Sequence, residues 1–131
     1  MKMFNTTETQ TMLNELLSIP NDISEIQKKL ISKTLALEEI NEAISNMEGS
    51  IKYDISTEVD EAGKKKFSNQ DLRDAEFNSR IENNTELNEF YENRKDIQYE
   101  INDLKIKFEY LSNRQRNLRT IINFLSNIEQ E

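Results

Sequence analysis

Apolar residues recur at every third, fourth or seventh position from Leu87 to Ile128, and this spacing constrains the fold more than any other feature. The members of this seam are Leu87, Phe90, Ile97, Ile101, Leu104, Phe108, Leu111, Leu118, Ile122 and Leu125. Such steps predict one face of a coiled-coil helix. The stretch contains no Pro and no Gly, so a helix roughly 60 Å long, at about 1.5 Å per residue, can run unbroken. Its narrow apolar stripe needs a partner.

A second seam earlier in the chain supplies that partner. It comprises Ile23, Ile26, Leu30, Leu37, Ile40, Ile44, Met47 and Ile51, and its frame extends backward to Leu16 and Ile19. Two such arms predict an all-α fold: a long antiparallel coiled-coil helical hairpin with short accessory helices at the N-terminus and at the hinge. The predicted single domain, residues 1–131, divides into a short helix at 6–18, a first arm at 21–60, a hinge at 61–85 with a short helix at 69–82, and a second arm at 86–129.

Four polar residues interrupt the seams and predict how the arms align. An antiparallel pairing that places Asp54 opposite Arg94 also places Lys33 opposite Gln115. Sliding the arms by a heptad would instead place Asp54 against Leu87 and Arg94 against Met47. That leaves charges against hydrocarbon, so these four polar residues are expected to set the register. A parallel dimer is the alternative, and it is less favourable because it would stack each of these charges on its own copy.

Pro20 predicts a break in the first part of the chain. Its ring removes a helical hydrogen bond and biases the preceding residue away from the helical region. Thr6 or Thr7 is expected to cap the short helix, and Asp22 with Glu25 reads as a capping box that restarts the first arm. The alternative is one long helix kinked at Pro20.

The hinge contains the clearest non-helical signal, centred on Gly63. The residues on either side of it, from Glu58 to Phe67, could pair as a small two-stranded ribbon. Ser68 is expected to cap the following short helix, with Asp71 at the capping-box position. Thr85 is expected to cap the second arm.

A second apolar stripe lies off the seams, and a two-stranded hairpin would leave it exposed. Its members are Leu13, Leu17, Ile31, Leu35, Ile55, Val59, Tyr91, Ile106, Ile121 and Ile128. Further intramolecular packing or self-association is the first interpretation, and a groove for a partner protein is the second.

Composition excludes several classes of function. The 131 residues include no Cys and no His and carry a formal net charge of −8. The missing residue types remove thiolate nucleophiles, the commonest metal ligand and the commonest general base. We therefore expect no enzyme, no metal and no cofactor. Neither a secretion signal nor an apolar run long enough for a membrane span is evident, so the predicted location is the cytoplasm.

Two basic features are candidate contacts with a partner. Lys64, Lys65 and Lys66 precede Phe67 at the hinge, where a solvated loop is the simpler interpretation. The second is a strip on the last arm: Lys105, Lys107, Arg114, Arg116 and Arg119. Either feature would attract nucleic acid or an acidic protein. The predicted register instead neutralises the strip within the chain, against Glu25, Glu38, Glu39 and Glu42.

The segment from Gly63 to Ile81 reads Gly-Lys-Lys-Lys-Phe-Ser-Asn-Gln-Asp-Leu-Arg-Asp-Ala-Glu-Phe-Asn-Ser-Arg-Ile and precedes a long helix. It resembles small phage proteins of unassigned function, which have a Gly-Lys-Lys-aromatic-Ser-Asn turn, a short helix and a coiled-coil arm. This resemblance extends from Gly63 to the early 120s. It implies a phage-encoded protein in the host cytoplasm and, since some such proteins are encoded near recombination and replication genes, an accessory role in DNA metabolism. It implies no catalytic residue.

The function that these features predict is non-catalytic protein binding, as a phage-encoded modulator of a host or phage protein complex. One alternative is an accessory protein of phage DNA replication or recombination that contacts single-stranded nucleic acid through the basic residues. Another is a structural coiled-coil component that assembles with its own copies. A protein partner is favoured over nucleic acid, and a homo-oligomer stays open.

Overall fold

Three helices account for 88% of the part of the chain that the computed structural model describes. The described residues are 5–130, with the backbone alone at 129 and 130, so Met1–Phe4 and Glu131 lie outside them. The helices are α1 (Thr6–Thr57), α2 (Gln70–Glu82) and α3 (Thr85–Gln130), and the described residues contain no strand. The predicted all-α fold is confirmed.

The contacts divide the chain into two compact units. Within the described residues, unit 1 comprises residues 5–33 and 100–130, and unit 2 comprises residues 34–99. Each unit therefore contains a part of α1 and a part of α3, and unit 2 also contains α2 and the turn before it.

Helix α1 runs continuously through Pro20, so the predicted break between 18 and 21 is wrong and the chain forms one long helix there, as in the alternative. Pro20 is exposed, whereas the neighbouring Ile19 is buried, with 2% of its surface accessible. A proline inside a helix costs about 3 kcal/mol, and each fully buried aliphatic side chain contributes roughly 1.5–3 kcal/mol. Burial of Ile19, together with the partial burial of Leu16 and Ile23, therefore offsets the missing hydrogen bond.

Asn5 caps the N-terminus of α1. The Asn5 side chain accepts a hydrogen bond from the Glu8 amide at 2.7 Å, and the Asn5 amide donates to the Glu8 carboxylate at 3.1 Å. This reciprocal pair is a capping box. The prediction that Thr6 or Thr7 caps the helix is wrong, because the residue before them provides both halves of the cap.

Asparagines also cap the N-termini of α2 and α3. The Asn69 and Asn84 side chains each accept a hydrogen bond at 2.9 Å from the amide three residues later. The predicted caps, Ser68 and Thr85, are each displaced by one residue. In both places two residues able to cap are adjacent, and local sequence does not decide between them.

A tight turn joins α1 to α2. One antiparallel bridge pairs Val59 with Lys65, and the Asp60 amide donates to the Lys64 carbonyl at 2.8 Å. Gly63 has a φ of 77°, a left-handed conformation that glycine adopts without strain. The ribbon considered from the sequence is therefore reduced to a single bridge around this glycine.

The buried residues of unit 1 all belong to the predicted seams. They are Ile19, Ile101, Leu118 and Leu125. The threes, fours and sevens of the sequence therefore identify the packed face of both long helices in this unit.

In unit 2 the buried residues are Ile44, Ile55 and Leu87, and Ile55 corrects the sequence analysis. The seam frame predicts Asp54 as an inward position and assigns Ile55 to the second stripe, but Asp54 is exposed and Ile55 is 1% exposed. From Ile44 the inward face recurs at Ile51 and then at Ile55, a step of seven followed by a step of four. Such a stutter moves the packed face by one residue relative to a strict heptad.

The predicted register is wrong in unit 1. In unit 1 the Lys33 ammonium lies 2.5 Å from the Glu100 carboxylate, whereas the prediction placed Lys33 opposite Gln115. In unit 2 the Arg94 guanidinium lies over the ring of Tyr91, 5.2 Å from its centroid. Long charged side chains reach past the seam to the surface, so they adapt to the register that the apolar residues set.

Candidate functional site

The predicted basic loop is the tip of the turn in unit 2. Lys64 and Lys65 are exposed there. The Lys66 ammonium lies 3.4 Å from the Glu58 carboxylate, on the other side of the turn. One of the three predicted charges is therefore compensated within the chain, and two project into solvent.

Glu58 ties the turn to α2. Its second oxygen accepts a hydrogen bond from the Arg80 guanidinium at 2.6 Å, and Arg80 also donates to Glu76 at 2.8 Å. The hydrogen bond from Arg80, assisted by Lys66, holds the pKa of the Glu58 carboxyl below its usual range. The same bond to Glu58, followed by the bond to Glu76, raises the pKa of Arg80. These groups are partly exposed, so the cluster orients the turn more than it stabilises the fold.

Phe67, a predicted partner-binding residue, lies between two cations of its own chain. Its ring centroid is 5.8 Å from the Lys66 ammonium and 5.7 Å from the Arg80 guanidinium. Both distances are within the range of cation–π attraction. Phe67 is half-buried, and its contacts hold the turn against α2.

The sequence analysis missed a cleft between the end of α1 and α2, within unit 2. Its volume is about 350 Å³, which is at the lower end of the range for ligand pockets. The lining residues are Lys52, Tyr53, Ile55, Ser56, Gln70, Arg73, Asp74 and Phe77. Ile55 is almost fully buried and Phe77 is half-buried, so the floor of the cleft is apolar.

Two cations of the cleft have neutral neighbours. The Lys52 ammonium lies 4.9 Å from the centroid of the Phe77 ring. The Arg73 guanidinium donates to the Phe67 carbonyl and to the Gln70 side-chain oxygen, each at 3.3 Å. The cleft thus combines positive charge at its rim with an aromatic surface.

The basic strip on α3 lies in unit 1, and acids of the same unit neutralise part of it. Arg114 donates two hydrogen bonds to Glu15, at 2.8 and 2.9 Å, and Lys107 pairs with Asp103 at 3.0 Å. The bond from Arg114 lowers the pKa of the Glu15 carboxyl and raises that of Arg114 itself.

Four residues of the strip are exposed, and of these Lys107 is paired with Asp103. The other three are Lys105, Arg116 and Arg119. The predicted neutralisation of the strip by the first arm is seen at Arg114, whereas Lys107 pairs with Asp103 on its own helix. The predicted partners were wrong for Arg114, which pairs with Glu15 rather than with Glu25, Glu38, Glu39 or Glu42.

Large apolar side chains are exposed on both long helices of unit 1. On α1, Leu17 is 67% exposed and Ile31 is 63% exposed, and Leu13 lies one turn before Leu17. On α3, Ile106 and Tyr110 are exposed one turn apart. In unit 1 the second apolar stripe of the sequence analysis is therefore exposed at Leu13, Leu17, Ile31 and Ile106, and Tyr110 adds to it. Its other members in this unit, Ile121 and Ile128, are half-buried.

Among the side chains that the structure describes, no group of three His, Cys, Asp or Glu residues is arranged to hold a metal ion. None of the helices in residues 5–130 has an apolar segment long enough to span a lipid bilayer.

Comparisons with family models, with curated proteins and with solved structures return no match to this chain.

Proposed function

We propose that this chain is a non-catalytic protein-binding module, and that the exposed apolar face of α1 in unit 1 contacts the partner. This face is defined by Leu13, Leu17 and Ile31. The exposure of this face is the observation that carries the proposal, because burying large apolar side chains against a partner lowers the free energy of the complex.

The geometry of this face favours a helical partner. Leu13 and Leu17 are one turn apart, and Ile31 follows Leu17 by two heptads, about 21 Å along the helix. Anchors at such spacings are typical of an amphipathic helix laid along another helix. The resemblance of residues 63–81 to small phage proteins adds to the proposal that the partner belongs to a host or phage protein complex in the cytoplasm.

The proposal includes an antiparallel arrangement of the long helices inside each unit. In unit 1, Glu15 contacts Arg114 and Lys33 contacts Glu100, so the residue number rises on α1 while it falls on α3. A coiled-coil packing of the two seams fits this order of contacts.

A photoreactive amino acid at Leu17 tests the proposed face. We expect it to cross-link to one protein in a lysate, and we expect the double substitution Ile31→Glu and Leu13→Glu to abolish the adduct. The matched controls are the same probe at the exposed Lys29 and the pair Thr11→Glu and Ser18→Glu, which adds equal charge at exposed positions on another side of the helix. Equal cross-linking from Leu17 and Lys29 would contradict the proposal.

Self-assembly is the structural alternative, and the same probe distinguishes it. An adduct between two copies of this chain, together with a sedimentation coefficient that rises with concentration at micromolar protein, would assign the face to an oligomer. We expect a monomer under these conditions, with the adduct formed to a different protein.

Nucleic-acid binding is the remaining alternative, and the exposed Lys64 and Lys65 are the residues that favour it. We expect the total attraction for nucleic acid to be small, because three of the other basic residues, Lys66, Lys107 and Arg114, already pair with carboxylates. We expect no mobility shift of single-stranded DNA at low salt. A shift that falls steeply with salt and disappears after Lys64→Glu and Lys65→Glu would establish the accessory role instead.

A further inference from the structure

The cleft between the end of α1 and α2 has the properties of a second binding site, separate from the apolar face proposed above. Its floor is formed by Ile55 and Phe77, and its rim carries Lys52, Arg73 and Asp74. A floor of this kind accepts an apolar group, while the rim favours a charged one. The size of the cleft suits one or two side chains rather than an entire helix.

The charges of the rim determine the sign of the ligand. Among the described residues, no carboxylate lies within salt-bridge distance of the Lys52 ammonium or the Arg73 guanidinium. Arg73 spends two of its donors on neutral oxygens, which leaves three for a ligand. Asp74 accepts a hydrogen bond of 2.6 Å from the Gln70 side chain.

The arginine of the rim and the acidity of the chain favour a carboxylate as the charged group of the ligand. Two cations and one carboxylate give the rim a formal charge of +1, and the whole chain is acidic, with −8. A carboxylate carries one charge and matches the planar fork of an arginine. A phosphate dianion is repelled more strongly by Asp74 and by the surrounding acidic surface.

From these observations we infer that the cleft binds an acidic segment of a partner protein, with an Asp or Glu carboxylate between Lys52 and Arg73 and a neighbouring apolar side chain against Ile55 and Phe77. The site is distinct from the face that contains Leu17 and Ile31. The cleft requires an acidic residue in the partner, which the apolar face does not.

Titration of the full chain with capped tripeptides, followed by amide chemical shifts, tests the inference. Acetyl-Phe-Glu-Phe-amide should shift the amides of Ser56, Gln70 and Asp74, and acetyl-Phe-Gln-Phe-amide should bind about tenfold more weakly, the equivalent of one charge-assisted hydrogen bond. Equal binding of the two peptides, or no shift at these amides with either, would overturn the inference.

Two substitutions and one control assign the effect to the cleft. Lys52→Gln and Arg73→Gln should each reduce the affinity for the Glu peptide, whereas Lys95→Gln, at an exposed lysine that does not line the cleft, should not. Lys52 is the more informative because its side chain makes no hydrogen bond to the turn, while Arg73→Gln also removes the contact with Phe67. Unchanged affinity in Lys52→Gln would contradict the inference.

Inorganic phosphate is the final probe. We expect it to shift the same amides more weakly than the Glu peptide does. Tighter binding of phosphate than of the peptide would overturn the assignment to a carboxylate. These titrations leave α1 of unit 1 unaltered, so their failure is independent of the cross-linking experiment at Leu17.

Discussion

The two units bury similar aliphatic seams but join their helices by different polar contacts. Unit 1 uses ion pairs between its two helix segments, Glu15 with Arg114 and Lys33 with Glu100. Unit 2 uses a hydrogen bond from the Tyr91 hydroxyl to Glu48, at 2.6 Å, and the charge cluster around Glu58. Only unit 2 contains a third helix, and the cleft is formed there.

This difference indicates a division of roles. Two helix segments have one shared seam, so unit 1 leaves apolar residues such as Leu17 and Ile31 on its surface. Adding α2 in unit 2 covers Ile55 and creates a concave site. Unit 2 also exposes large apolar side chains, such as Leu35 and Tyr99, so the third helix adds a charged cleft and does not remove the apolar surface.

The largest expected effect is on the seam of unit 1. Leu118→Ala removes a side chain that is 0% exposed, and we expect it to lower the free energy of unfolding by roughly 2–5 kcal/mol. Chemical denaturation measures the loss. The control, Ile106→Ala, changes an exposed side chain and should alter stability by about 0.5 kcal/mol or less.

Hydrogen exchange on Leu118→Ala tests the division into units. If the units open separately, amide protection should fall more in residues 100–125 than in residues 34–99. An equal loss of protection in both ranges would show a single cooperative unit and would break the comparison.

Pro20→Ala should stabilise the protein, by at most about 3 kcal/mol. Alanine restores the amide that can donate to the Leu16 carbonyl in the continuous helix α1, although a more flexible unfolded chain takes back part of the gain. Thermal unfolding followed by circular dichroism measures the change. Destabilisation would contradict the continuous helix α1 and would indicate a break at Pro20.

Asn84→Ala should cost about 1 kcal/mol, because it removes the oxygen that accepts from the Leu87 amide at the start of α3. The matched control is Thr85→Ala, the cap expected from sequence. A larger loss in Thr85→Ala than in Asn84→Ala, measured by chemical denaturation, would reverse the assignment of the cap.

The smallest effect concerns Tyr91 and depends on pH. Burial, followed by the hydrogen bond to Glu48, raises the pKa of Tyr91 from 10.0 to about 12. The folded state therefore retains this proton after the unfolded state has lost it, so the contribution is complete below pH 10 and declines as the pH rises to 12. At neutral pH, Tyr91→Phe should cost about 1 kcal/mol.

Unfolding curves of wild type and Tyr91→Phe at several pH values measure this dependence. The difference between the two proteins should shrink from pH 10 to pH 12. A difference that stays constant over that range would show that the Tyr91 hydroxyl has the same pKa in the folded and unfolded states. The hydrogen bond to Glu48 would then not be a stabilising contact of unit 2.

The sequence predicts the packed faces well because burial follows helical periodicity. Ile19, Leu87 and Leu118 were each identified from spacing alone. Ile55 was not, because the spacing of inward residues is seven from Ile44 to Ile51 but four from Ile51 to Ile55. The available signal was the separation of eleven residues between Ile44 and Ile55, about three helical turns, which places both on the same face.

Contacts between distant residues were harder to predict. The continuity of α1 through Pro20 depends on tertiary packing that overrides a local preference. The cleft depends on Lys52 and Phe77, which come together only when α2 packs on α1. The register failed because Lys33 and Arg94 were treated as fixed seam positions, although their long side chains reach partners at the surface.

The most direct test concerns the pairing in unit 1, because this pairing determines that Leu17 and Ile31 are exposed. The chain has no Cys, so pairs of cysteines can be introduced and treated with a short bismaleimide. We expect an intramolecular cross-link between Glu15→Cys and Arg114→Cys and none between Lys33→Cys and Gln115→Cys. A cross-link in the second pair and none in the first would contradict the pairing and, with it, the proposed binding face.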